Sequence, residues 1–217
     1  MKNERLGASV LSTRLIANVS PALAEKLNLQ PDQRSLAILT STCDDVTYVA
    51  LDEATKAAAV DVVYAKSFYG GVDNANSKLA GEVIGMLAGT NPAEVKAGLQ
   101  AAIYEIEEGA SFYSANDDHT IPYFAHLISR TGSYLAGEVG IDKGSSLAYV
   151  IAPPLESMYG LDQALKSAAV EVVAFYGPPT ETNFGGALLT GSQSACKSAC
   201  EAFANAVMAV ADKPIEE

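Results

Sequence analysis

Three carboxylates concentrate the chemistry open to this chain: the adjacent pair Asp44-Asp45, and Glu82. Carboxylates gathered in a partly desolvated place hold small cations, because an ammonium leaving water needs opposite charge in place of its hydration. The same groups could serve as acid and base, and a turn or helix cap is the ordinary use of Asp-Asp. Internal duplication sharpens the choice. Residues 52–63 (DEATKAAAVDVV) and 162–173 (DQALKSAAVEVV) agree at eight of twelve positions, at an offset of 110. The SLA of residues 35–37 returns at 146–148. Across this repeat Asp44-Asp45 align with Leu155-Glu156 and Glu82 with about Ala187, so the first copy carries acidic positions that the second lacks. An acidic site specialised in one copy predicts a pore or pocket for a small cation.

The other reactive side chains fall into no motif. Cys196 and Cys200 stand four apart on one helix face, with no CxxC or paired histidines for zinc, and read as small packing residues. Cys43 adjoins Asp44, but nothing nearby marks it as an activated thiol. His119 and His126 lack a serine or cysteine partner in a triad pattern, and there is no GxGxxG or P-loop. The sequence therefore predicts no catalytic residue, no metal and no required cofactor. Phe68-Tyr69-Gly70-Gly71 reads as a gate loop, with paired glycines for backbone freedom and aromatic bulk to plug an opening. The corresponding loop of the second copy, with Pro178-Pro179, reads as stiffer.

The elements that must position these residues repeat in order. Residues 36–40 read as a strand, 52–59 as a helix capped by Asp52, 60–65 and 81–87 as strands, and 91–107 as a helix opened by Asn91-Pro92. The second copy repeats the order with strands at 147–152, 170–175 and 187–190 and helices at 162–169 and 192–211. Each copy is preceded by a strand or turn leading into a helix, at residues 9–27 and 123–139. An offset this long suits a duplicated domain rather than a solenoid. The prediction is an α+β chain of two domains, residues 1–110 and 111–217, each a sheet with helices packed on it.

Composition narrows the partners. The 217 residues are 49% hydrophobic with a formal net charge of −12, which suits a folded protein and disfavours nucleic acid or an anionic lipid membrane. An odd cysteine count and a start without a long apolar core point to a reducing, cytoplasmic setting. No stretch nears the roughly 20 apolar residues that a spanning helix needs.

The repeated unit resembles the bacterial microcompartment shell domain. Its marker is the alanine-rich D-x-A-x-K helix before a β-branched strand, at Asp52, Ala54, Lys56 and again at Asp162, Ala164, Lys166. Two copies in one chain resemble the tandem-domain shell proteins, most of all their ethanolamine-utilisation branch. RSLAIL, DDVTY, DEATK and VVYAKS carry that likeness in the first half, and SRTGSYL, APPLESMYG, ALKSA and LLTGSQSACKSAC in the second. The resemblance implies circularly permuted domains, antiparallel sheets, and homotrimers imitating hexamers that tile shell facets with neighbouring shell proteins. It implies pores passing small molecules and a place in the shell of a cytoplasmic microcompartment. It places Lys56 and Lys166 at tile edges, and Asp44, Asp45, Glu82, Ser111, Phe112 and Tyr113 at a small pore binding an ethanolamine-like ligand. It has the gate loop meet its copies on a threefold axis, and allows a cobalamin as a larger ligand. Two other readings compete with this one: a trimeric metabolite-binding regulatory module, and an enzyme using the acidic trio, the weakest for want of a nucleophile or cofactor motif.

Overall fold

A computed structural model describes residues 2–67, 72–180 and 182–215. The chain forms two compact units. The first comprises residues 7–110 and takes in Gly132–Glu138 from the second half; the other comprises residues 2–6, 111–131 and 139–215.

The first unit is built on a four-stranded antiparallel sheet in the order β2 (Val10–Ile16), β3 (Ser35–Ser41), β5 (Val83–Gly89), β4 (Val60–Ser67). Strand alternation splits β3 and β5 between the two faces. On one face α2 (Asp44–Ala57) comes so close that a Cβ on Gly85 would meet the Leu51 side chain at 2.8 Å. On the same face α3 (Pro92–Tyr104) sets Gly98 against Leu87. The opposite face carries Leu36, Ile38, Met86 and Ala88, which pack with Val19, Leu27, Leu29 and Ala24 of the short helix α1 (Pro21–Lys26). The sheet is thus covered by α2 and α3 on one face and in part by α1 on the other, where Tyr64 stays exposed. Asn91 caps α3 as the sequence predicts, its side chain accepting from the amides of Ala93 (2.9 Å) and Glu94 (3.1 Å), with Pro92 following.

The second unit repeats that order as β7 (Pro122–Ile128), β8 (Ser146–Ala152), β10 (Gly185–Gly191), β9 (Val170–Tyr176). The two short strands β6 (Phe112–Ser114) and β1 (Arg5–Leu6) extend it beside β7. Helices α5 (Pro154–Ser167) and α6 (Gln193–Asp212) pack on it through Leu161, Ala164, Cys196, Ala199, Cys200, Phe203 and Val207. Cys196 and Cys200 are thus core residues, as their spacing suggested.

The two central helices start earlier than the sequence suggested, at Asp44 and Pro154 rather than Asp52 and Asp162. Val46, Thr47 and Val49 are poor helix formers, yet all three are buried, so packing overrides propensity. The helices now fix the register at 110, and Asp44-Asp45 align with Pro154-Leu155, not Leu155-Glu156. Strands β5 and β10 differ by 102, which aligns Glu82 with Phe184 and not Ala187. Gly81 and Asn183, one residue earlier, share a left-handed backbone (φ 61° and 63°) and confirm that register.

Asp52 is not a cap for its own helix. It lies mid-helix, fully buried, and holds the start of α4 (Ser133–Val139). Its Oδ2 accepts from the Gly132 amide at 2.6 Å and its Oδ1 from the Leu135 amide at 2.9 Å. Thr55 Oγ1 accepts from the Ser133 amide at 3.0 Å. These bonds satisfy amides that a helix start leaves without intrahelical partners, and they account for Gly132–Glu138 joining the first unit.

Candidate functional site

The site is assembled at the joint between β3 and α2. The turn is tied by Thr47 Oγ1 donating to the Cys43 carbonyl (2.7 Å) and the Cys43 amide donating to Ser41 Oγ (3.3 Å). Asp44 and Asp45 therefore occupy the first turn of α2, where the helix dipole favours negative charge. This corrects their expected place in a loop ahead of the helix. The Asp45 amide donates to Asp44 Oδ1 at 2.8 Å.

Glu82 reaches the same place from the start of β5. Its amide donates to the Ser41 carbonyl at 2.9 Å. Gly81 makes this approach possible: it has φ +61°, and a Cβ there would lie 2.1 Å from the Ser41 carbonyl oxygen and 2.5 Å from Leu11 Cδ1. Gly81→Ala should lower stability by about 2 kcal/mol or more, through left-handed strain and a backbone clash. A denaturant titration checks this; a loss under about 0.5 kcal/mol, within the scatter of ordinary surface changes, would contradict it.

Burial pushes the Glu82 carboxyl up to about 7, and the negative charge of Asp44 adds to the effect. Burial also raises Asp44, but the Asp45 amide, Ser67 and its own backbone amide favour its ionised form. Both carboxyls are thus raised, and a second negative charge on this crowded pair is costly. Ser67 Oγ is buried without a partner at ordinary hydrogen-bond length, yet close enough to Asp44 to help hold its charge. The Cys43 thiol is held well above its usual range, first by burial and then by Asp45, with Asp44 and Glu82 contributing. That disfavours the thiolate, the reactive form of a cysteine.

A cavity of about 480 Å³ adjoins Glu82 and was not foreseen from the sequence. Thr40, Ile84 and Lys66 line it from one row across the sheet, facing away from α2 and α3, and Asn74 and Asn76 add amide groups. The β-alternation of residues 60–67 carried the signal for Lys66; nothing marked the asparagines.

Of the residues expected at a small pore, Asp44, Asp45 and Glu82 come together in the first unit, all acting on Cys43. Ser111, Phe112 and Tyr113 belong to the second unit. There Phe112 stacks on Phe124 (5.1 Å between ring centroids) and meets Phe184 edge-on (6.2 Å). Tyr113 lies 6.2 Å from Tyr123, and Ser111 is buried with its hydroxyl unpartnered. Phe184, the counterpart of Glu82, is thus part of an aromatic cluster. The gate loop Phe68, Tyr69, Gly70 and Gly71 lies outside the described residues. The two edge lysines differ. Lys56 is held by Glu53 and lies 3.6 Å from Asp52, whereas Lys166 pairs at 2.6 Å with an exposed Asp162.

Comparison with known proteins decides the family. Residues 35–122 match the BMC domain, a span that opens at β3 and leaves β2 and α1 ahead of it. The bacterial microcompartment shell protein EutL of Clostridium perfringens is 61% identical over 215 residues, covering 99% of each chain. The chain belongs to the EutL family of bacterial microcompartment shell proteins. EutL of Escherichia coli is 52% identical across 96% of this chain and 95% of that one. The crystal structure of EutL from Leptotrichia buccalis superposes with a TM-score of 0.97 at 66% identity, covering all of both chains. A trimeric shell protein, PduB, shares the fold at a TM-score of 0.77 and 20% identity, over 94% of this chain and 90% of that one. EutL membership gives the chain a structural role in the shell of a bacterial microcompartment, built from two tandem permuted domains.

Proposed function

We propose that the chain forms pseudohexameric homotrimers that tile the facets of an ethanolamine-utilising microcompartment and pass small molecules through pores. Asp44 and Glu82 hold a small ammonium such as ethanolamine at one of them. The role is structural and selective, without turnover. The observation that carries this reading is the carboxyl pair built into the first half, where the second half has Pro154 and Phe184. Membership of the EutL family supports it, and a relative named for ethanolamine utilisation matches the whole chain. Nothing among the described residues favours the regulatory module.

An ammonium fits the pair on physical grounds. Two crowded carboxyls retain a proton because their second charge is costly, and a bound cation removes that cost. Lys56 and Lys166 serve at the tile edges, each with a long apolar stem able to lie along a seam. Lys56→Ala combined with Lys166→Ala should abolish lateral sheets in electron micrographs and leave the discrete oligomer intact. Sheets from the double variant equal to those of the parent would refute the edge role.

A further inference from the structure

Two opposite charges face the cavity beside Glu82 without meeting each other. Glu82 and Lys66 both line it. Lys66 lies opposite Ile84 in the pairing of β4 with β5, so Glu82, two residues before Ile84, stands on the diagonal from it. Diagonal neighbours of an antiparallel pair lie about 7–8 Å apart, within bridging reach of a lysine and a glutamate. Among the described residues, however, neither side chain forms an ion pair or a hydrogen bond. The Glu82 carboxyl is shifted by burial and by Asp44, with no contribution from Lys66.

The cavity is held in shape by the chain around it. Thr40 Oγ1 donates to the Leu79 carbonyl at 2.6 Å and accepts from Ser12 Oγ at 2.8 Å, which ties residues 79–80 to the sheet. The Ala80 amide donates to the Ser77 carbonyl at 3.1 Å. Ile84, Val83, Ala75 and Ala80 give the cavity apolar wall. Its volume of about 480 Å³ lies in the range of pockets for drug-sized ligands, more than a two-carbon amino alcohol fills. A bare ammonium entering it meets one carboxyl but also the like charge of Lys66. A molecule bearing both charges answers both side chains. The lysine ammonium is a compact charge with three donors, suited to phosphate or carboxylate oxygens, and the side-chain amides of Asn74 and Asn76 bring further N–H groups.

We propose that this cavity takes a small zwitterion, with its primary ammonium at Glu82 and its oxyanion, a phosphate monoester or a carboxylate, at Lys66. The inference rests on the ammonium site proposed above and adds a second charged group to the ligand class. Ethanolamine satisfies the carboxyl alone. Phosphoethanolamine and β-alanine carry an oxyanion on the same short chain, and together they tell phosphate from carboxylate.

The test is titration calorimetry at pH 8, where Glu82 is ionised, with ethanolamine, phosphoethanolamine and β-alanine on the parent chain and on Lys66→Met. Lys66 is exposed on β4 and methionine keeps much of its apolar stem, so the variant should fold. On the parent, at least one zwitterion should bind about 10-fold more tightly than ethanolamine, the lower end for a charge-assisted contact because Lys66 is open to water. In Lys66→Met that ratio should fall to about one, and Lys66→Arg should keep most of it. A larger gain for phosphoethanolamine assigns the oxyanion as phosphate, a larger gain for β-alanine as carboxylate, and equal gains as either. Zwitterions that bind no more tightly than ethanolamine, or a gain that survives Lys66→Met, would overturn the oxyanion site and leave the ammonium site standing. A parent chain that binds none of these ligands would overturn both.

Discussion

Replacing Asp52 with Ala should lower folding stability by about 3 kcal/mol or more, among the largest effects open to a single substitution here. The carboxylate is fully buried and accepts two backbone amides, from Gly132 at 2.6 Å and Leu135 at 2.9 Å. Charge-assisted bonds of this kind contribute about 1.5–3 kcal/mol each, and their removal leaves two amides without acceptors. Lys56 loses a neighbour at 3.6 Å but keeps Glu53, so the effect comes chiefly from the amides. Asp52→Asn should lie between parent and Ala, because one oxygen still accepts while the new NH₂ faces an amide donor. Gly132 has no room for a side chain: a Cβ there would sit 2.2 Å from Thr55 Oγ1 and 2.5 Å from the Asp52 carbonyl oxygen. Denaturant titration measures the series. An Asp52→Ala loss below about 1 kcal/mol, no more than an ordinary hydrogen bond, would show that the clamp carries little.

Glu82→Gln should weaken ethanolammonium binding about 10- to 100-fold by titration calorimetry, the range for one lost charge-assisted contact. The parent's affinity should also fall in acid. Glu82 titrates near 7, raised first by burial and then by Asp44, so it is neutral at pH 6 and ionised at pH 8. A primary alkylammonium keeps its charge across this range. Affinity should therefore drop about 10-fold from pH 8 to pH 6 in the parent and stay nearly level in Glu82→Gln. The stability effect has the opposite sense. A carboxyl raised in the folded state binds its proton more tightly there than in the unfolded chain, so stability declines as pH rises from about 4.5 to about 7. Glu82→Gln escapes that decline and should unfold no more easily than the parent at pH 8, which separates lost binding from lost folding. Parent affinity independent of pH would remove Glu82 from the site.

The alternation of β-branched residues and the Asn91-Pro92 opening made the central strands and α3 legible, and the repeat made the two halves legible. Both α2 and α5 start earlier than the sequence suggested, and in α2 the early start was hidden by Val46, Thr47 and Val49, whose helical state comes from burial. The signals for them were local and present: two acids in a first turn at Asp44-Asp45, and a proline at the first helical position, Pro154. The acidic trio was visible as an asymmetry, although its partners were misaligned by one and three residues. The role of Asp52 was not visible, because the amides that donate to it lie 80 or more residues away and no local pattern reports a contact of that range. The cavity beside Glu82 was equally hidden, since Thr40, Lys66 and Ile84 meet only through sheet register.

The account holds that this chain is a tile, and electron microscopy of the purified protein across a concentration series tests that most directly. It predicts flat hexagonal particles that merge into ordered sheets as concentration rises. Discrete particles that never join at any concentration would contradict it.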